Sequence, residues 1–245
     1  MAVVALLGSG EFLPWAAAVD RWLAENATAP SERALIIPTA SAPEGADTFE
    51  RWSEMGRAHY RSIGLAPEVV PLRTRADADD PACVDMVADA RIVFFSGGNP
   101  GYLAEALRGT AFWGAILSAV EDGTAFGGCS AGAVAPGVLA PFVAHDTLER
   151  WVDGLGMFAS AFVIPHFDQI DRYGGPGFRQ TLIDQCPDGA VLIGIDEDTA
   201  LVGSDGDWGV MGAGAAWFVE EGELRPVRDG ERSGAGLGVT LHSRG

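Results

Sequence analysis

The chain has 245 residues, 48% hydrophobic and 20% charged, which suits one large soluble domain, or a domain with a small appendage, around a sizeable core. Its formal net charge of −18 gives a surface that repels phosphate backbones, so nucleic acid is not expected as a partner. All 16 basic residues are arginine, which excludes a Schiff-base lysine and a P-loop lysine.

Short apolar runs alternate with amphipathic stretches, which predicts an α/β fold with a mostly parallel sheet covered on both faces. Residues 3–7 read as a buried strand that ends at Gly8-Ser9-Gly10. Residues 12–27 read as a helix with Trp15, Val19 and Trp22/Leu23 on one face. A strand at 34–37 stops at Pro38, and 47–63 form a helix whose apolar stripe is Phe49, Trp52, Met55 and Ile63. A short strand at 68–72, a polar acidic connection at 74–81 and a short helix at 83–88 lead to a central strand at 91–95.

Ser96-Gly97-Gly98-Asn99-Pro100-Gly101 follows that strand, with Asn99 as helix N-cap and Pro100 at the first helical position. Helices are expected at 102–107 and 112–121, a short strand at 123–126 and a small-residue helix at 131–138. Beyond that the pattern changes. A strand closes through 163–165 at His166, and 178–186 are helical. Short strands at 191–195, 200–202, 208–211, 215–219 and 223–227, with a hairpin signal at Asp205-Gly206-Asp207, predict an antiparallel C-terminal extension. Residues 1–245 are read as a single domain, and the glycine-rich 230–245 as a partly mobile tail.

The densest chemical signal is Phe126-Gly127-Gly128-Cys129-Ser130-Ala131-Gly132-Ala133. It reads as a nucleophile elbow, a strained strand-to-helix turn that tolerates only small residues two positions before and after the nucleophile. With Ser130 as nucleophile those positions are Gly128 and Gly132, and the Ala131 N–H is placed to stabilise an oxyanion. Shifting the register by one makes Cys129 the nucleophile between Gly127 and Ala131. Gly132 is the better flank, so Ser130 is preferred and Cys129 is the rival.

A serine hydroxyl needs a base, usually a histidine oriented by a carboxylate. His166 follows Phe162-Val163-Ile164-Pro165 and so sits at a strand end, where doubly wound sheets build sites. His145, after the elbow helix, is its rival, while His59 lies in a helix and His242 in the tail. Gly194-Ile195-Asp196-Glu197-Asp198-Thr199 offers three carboxylates after a strand, and pattern leaves the choice among Asp196, Glu197 and Asp198 open. The Gly97-Gly98-Asn99 turn is a candidate second oxyanion donor. The roles of Glu11 and Asp168 stay open.

Taken together, Gly97-Gly98-Asn99, the Ser130 elbow, Pro165-His166-Phe167 and Gly194-Ile195-Asp196-Glu197-Asp198-Thr199-Ala200 resemble peptidase family S51. That family includes aspartyl dipeptidase and cyanophycinase. Leu7-Gly8-Ser9-Gly10-Glu11-Phe12 is also similar, and the resemblance runs from about residue 3 to residue 220. It implies a three-layer sandwich of the flavodoxin-like, class I glutamine amidotransferase-like kind. It also implies Ser130 as nucleophile, His166 as base and Glu197 as the acid. Gly98 and Ala131 become the oxyanion donors, and no metal or organic cofactor is implied.

Two departures bear on substrate. Cyanophycinase-like members have Asp-Gln before the histidine and several close arginines after it; here Ile164-Pro165 precede it, as in aspartyl dipeptidase. Arg172 follows, and Arg179 sits roughly where dipeptidase-like members carry substrate-binding arginine. An arginine can hold a carboxylate bidentately, so Arg172 and Arg179, with Asn99, are the candidate substrate contacts. A preference for N-terminal Asp is not carried over. The expected activity is a serine peptidase acting on small peptides; the alternatives are a Cys129-dependent amidase or amidotransferase-like hydrolase and a catalytically silent binding protein.

The remaining features concern setting. The apolar start is too short for a signal peptide and carries no basic residue. No stretch approaches a membrane span, so no membrane partner is expected. Three widely spaced cysteines argue against a disulfide framework and for a reducing, cytoplasmic compartment. With no CxxC and four histidines, a structural zinc site is not expected. The apolar content permits a homodimer.

Overall fold

Continuous apolar runs of four or five residues form the centre of the fold, each ending where glycine, proline or a small polar residue turns the chain. The protein is described by a computed structural model covering residues 2–144, 147–204, 207–220 and 223–233. The first half runs β1 (Val4–Leu7), α1 (Ala16–Asn26), β2 (Arg33–Ile37), α2 (Ala46–Ser62), β3 (Ala66–Val69), α3 (Pro81–Asp85), β4 (Ile92–Phe95), α4 (Pro100–Leu107), α5 (Ala111–Glu121), β5 (Ala125–Cys129) and α6 (Ala131–Val134). The second runs β6 (Leu139–Ala144), β7 (Thr147–Asp153), β8 (Ala161–Ile164), α7 (Ile170–Gly174), α8 (Phe178–Asp184), β9 (Val191–Ile195), β10 (Thr199–Ser204), β11 (Asp207–Gly212), β12 (Ala215–Glu220), β13 (Glu223–Arg228) and β14 (Arg232–Ser233).

The main sheet has the order β14-β11-β10-β1-β5-β4-β2-β3. The stretch from β1 to β3 is parallel; β10, β11 and β14 extend it antiparallel beyond β1. Successive strand residues point to opposite faces. Leu6, Leu35, Val93, Phe95 and Phe126 therefore share one core with Leu103, Leu107, Phe112 and Ile116 of α4 and α5. Leu7, Ile36, Phe94 and Cys129 share the other with Val19 and Leu23 of α1 and Tyr60 of α2. Each of the large side chains contributes roughly 1.5–3 kcal/mol by leaving water. The result is the expected three-layer α/β sandwich.

The structure adds a second sheet, of order β13-β12-β9-β8. So 191–195, 215–219 and 223–227, read as part of the antiparallel extension, pair here instead, with β9 parallel to β8. Strand alternation says which face is buried but not which strand is the neighbour. One face of this sheet (Val163, Ile193, Ile195, Phe218) joins the main core. The other (Phe162, Ile164, Leu192) packs on Phe167, Ile170 and Leu182 at α7 and α8.

Several boundaries also move. The first helix starts at Ala16 rather than residue 12, because Gly10 and Phe12 hold φ of 74° and 64° and turn the chain first. The elbow strand is Ala125–Cys129, since Gly123 at φ 103° belongs to the preceding turn. The helix after the elbow stops at Val134, two residues before Pro136. The antiparallel β6–β7 pair has a register shift at Phe142/Val143 and no counterpart in the sequence reading. His145, Asp205-Gly206, His242 and residues 234–245 of the glycine-rich tail lie outside the described residues. Among the described residues no helix is long and apolar enough to cross a membrane.

Candidate active site

Ser130 sits at the carboxyl end of β5 with φ 48° and ψ −110°, a conformation that costs a non-glycine residue roughly 1–3 kcal/mol. Its N–H donates to the Leu7 carbonyl of β1 at 3.0 Å. The flanking glycines are sterically required. A Cβ on Gly128 would lie 2.2 Å from the Gly132 carbonyl oxygen, and one on Gly132 would lie 2.1 Å from that of Phe95. The tight turn that these residues permit lifts the Ser130 hydroxyl above the sheet end.

The imidazole of His166 comes from the second sheet. β8 and β9 run parallel with Ile164 beside Gly194, so the segments after both strands emerge at the same end. The Phe167 N–H binds the Ile195 carbonyl at 2.9 Å and locks these segments together. His166, at φ 50°, holds Nε2 3.1 Å from Ser130 Oγ and Nδ1 2.8 Å from Glu197 Oε1. A carboxylate on Nδ1 favours the tautomer with its proton there, which frees Nε2 to accept from a hydroxyl. The His166 and Glu197 side chains are 24% and 33% exposed, so the pair is reachable from solvent.

The three adjacent carboxylates point in different directions. Asp196 accepts the Ala215 N–H and the Trp217 indole N–H, each at 2.9 Å, and burial pushes its carboxyl above the usual range. Asp198, at φ 49°, turns away and its N–H meets Ser9 Oγ at 3.3 Å. Glu197 alone of the three meets the imidazole. Its Oε1 also accepts the Tyr173 hydroxyl at 2.9 Å, and the Tyr173 ring stands edge-on to His166 with centroids 5.3 Å apart. Asp168 holds the Glu197 turn from behind, accepting its N–H at 2.8 Å. Burial opposes ionisation of Asp168, but hydrogen bonds from Gln169 and the Glu197 amide outweigh it and keep this carboxyl below its ordinary value.

The Gly97-Gly98-Asn99 turn follows β4 beside the elbow. The Gly97 N–H donates to Glu11 Oε1 and the Asn99 N–H to the Ala40 carbonyl, each at 2.8 Å. Between them the Gly98 N–H has no acceptor among the described residues, and neither has that of Ala131 at the start of α6. Gly98 has φ 138°, and a Cβ there would lie 2.4 Å from Ala40 O, so only glycine fits. Asn99 accepts the Tyr102 N–H at 3.1 Å as N-cap and donates to the Val143 carbonyl at 2.8 Å, tying the β6–β7 hairpin to α4.

Glu11 has a structural part that the sequence left open. It is buried at 5% exposure and joins the ends of β1, β4 and β5, because its second oxygen accepts the Cys129 thiol at 2.9 Å. Burial first, then the Glu11 charge, pushes that thiol well above its usual pKa. Cys129 is fully buried, faces the helix-covered core and lines no part of the cavity beside Ser130. A protonated, enclosed thiol is a poor nucleophile.

The cavity measures about 260 Å³ and contains Ser130, His166 and Gly98. The hairpin contributes Val143, Leu148 and Trp151; α7 and α8 contribute Ile170, Tyr173, Phe178 and Leu182. Asn99, Arg172 and Arg179 do not line it. Arg172 is exposed and donates to Gln169 Oε1 at 2.9 Å. Arg179 lies over the Phe167 ring, 5.0 Å from its centroid, and donates to the Asp168 carbonyl at 3.3 Å. Tyr173 is missed by the sequence reading, although Ile170 and Tyr173 at i and i+3 carry the faint signal of an amphipathic turn.

This arrangement can be set beside known proteins. The model of peptidase family S51 matches residues 4–210. The crystal structure of a peptidase from an acI-B1 actinobacterium is 32% identical, covering 95% of this chain and 96% of that one, with a TM-score of 0.86. A putative peptidase E protein from Listeria monocytogenes EGD-e is 18% identical, covers 87% of this chain and 99% of its own, and has a TM-score of 0.59, a likeness of fold alone. No curated protein sequence matches. The family match extends over most of the chain and takes in the elbow, the His166 segment and the Glu197 turn, so the chain belongs to peptidase family S51 and is an enzyme of the serine-peptidase type.

Proposed function

We propose that Ser130, His166 and Glu197 form a catalytic triad that hydrolyses amide bonds of small peptides through an acyl-enzyme. The observation that carries this reading is the unbroken relay of 3.1 Å and 2.8 Å contacts, reached through strained backbone at an open cavity. Ser130 Oγ attacks the carbonyl carbon as its proton passes to His166 Nε2. Glu197 stabilises the imidazolium through Nδ1. The carbonyl oxygen becomes an oxyanion that the Gly98 and Ala131 N–H groups are free to bind. His166 returns the proton to the leaving amine as the C–N bond breaks. Water, deprotonated by His166, then attacks the ester, and Ser130 leaves with the proton.

A small substrate is favoured because the cavity falls just below the roughly 300–1,000 Å³ typical of ligand sites. A cytoplasmic setting belongs to the same proposal and is supported by three unbridged cysteines. The test is turnover of a dipeptide panel by wild type and Ser130→Ala. The variant is expected to lose about 10⁴–10⁶ in kcat; equal turnover by both proteins overturns the proposal.

A further inference from the structure

The cavity beside Ser130 is walled by side chains that carry no formal charge other than any on His166. Leu148 and Trp151 of the hairpin and Ile164, Ile170, Phe178 and Leu182 supply its apolar wall. Ile164, Ile170 and Leu182 are buried, so this part of the wall is continuous with the apolar core. The two arginines nearest in sequence to His166 are turned to other partners, Arg172 to Gln169 and Arg179 to Asp168 and the Phe167 ring. Glu197, on the far side of the His166 ring, is engaged by His166 and Tyr173, and Glu11 by the Gly97 N–H and the Cys129 thiol.

We propose that this cavity selects an uncharged, apolar side chain on the substrate residue flanking the scissile amide, a specificity that rests on the triad reading above. A carboxylate or guanidinium placed against these walls loses part of its hydration and meets no counter-charge among the lining side chains other than any on His166, which is costly. An acidic side chain is further opposed by the net charge of −18. A Leu or Phe side chain instead gains by leaving water, an effect of about 10- to 100-fold in kcat/KM over Ala. The volume of about 260 Å³ suits one large side chain with its backbone rather than an extended peptide.

The test uses the full-length enzyme and compares kcat/KM for X-Gly and Gly-X dipeptides with X as Leu, Phe, Ala, Asp and Arg. Leu and Phe are expected to exceed Ala by about 10- to 100-fold, with Asp and Arg below Ala. The series that shows this order identifies whether the side chain lies on the acyl or the leaving-group side. Ser130-dependent cleavage that favours Asp or Arg overturns the pocket assignment and leaves the triad standing. Absence of Ser130-dependent cleavage overturns the triad reading and the assignment with it. Val143→Arg places a cation on the exposed hairpin rim of the same cavity. It is expected to lower the Leu-to-Asp ratio several-fold, and an unchanged ratio contradicts the assignment.

Discussion

Among the described residues the chain holds two histidine–carboxylate pairs of the same length, 2.8 Å, in opposite settings. His166 and Glu197 stand at the ends of β8 and β9, partly exposed, with a serine hydroxyl on the second ring nitrogen. His59 of α2 and Asp20 of α1 are 4% and 1% exposed, and the other Asp20 oxygen accepts the Tyr60 hydroxyl at 3.0 Å. The Phe12 ring packs on His59 with centroids 5.7 Å apart. Burial, then Asp20, pushes the Tyr60 hydroxyl well above its ordinary pKa, so it remains a donor and the cluster is a satisfied buried network. The comparison teaches that a histidine–carboxylate contact does not define a site. Access to a cavity, a serine hydroxyl on the other ring nitrogen and strained backbone at Ser130 and His166 distinguish the Ser130 centre.

Breaking each pair sharpens the contrast. Glu197→Gln is expected to lower kcat/KM by about 10³–10⁴, because the imidazole loses the partner that sets its tautomer. Its effect on stability is expected within about 1 kcal/mol, as for other partly exposed ion pairs; activity and urea-midpoint measurements on the same preparation check both. Asp20→Ala should do the reverse. It strands two buried donors and is expected to destabilise the fold by about 2–5 kcal/mol, with turnover per folded molecule unchanged. A fall in turnover at full folding would mean that the buried pair communicates with the site. The smallest effect is expected from Tyr173→Phe. Losing one hydrogen bond to Glu197 should cost about 3- to 10-fold in kcat/KM, read from steady-state kinetics.

What the sequence makes legible follows from how local each feature is. The elbow is contiguous, and the small residues it requires sit around Ser130 in one octapeptide. Gly98 and His166 are legible for a similar reason, as turns after short apolar runs. The choice of Glu197 is not local. It depends on Asp196 being captured by β12 and on the Asp198 backbone turning at φ 49° to place its N–H on Ser9, partners far along the chain; only the family resemblance selects Glu197 from sequence. The second sheet is hidden because parallel pairing of β8 with β9 spans an intervening helical segment. The β6–β7 hairpin is hidden because Pro141 and the register shift at Phe142/Val143 break the alternation a strand reading needs. The cavity is least legible, since its walls come from apolar residues on several elements that each read as ordinary core.

The central claim is that the Ser130 hydroxyl is activated where it stands. Reaction of the folded protein with a fluorophosphonate, followed by peptide mapping with mass spectrometry, tests it directly. The account predicts a single phosphonyl adduct on Ser130 that forms rapidly in wild type and far more slowly in His166→Ala. An unmodified Ser130, or labelling indifferent to His166, contradicts it.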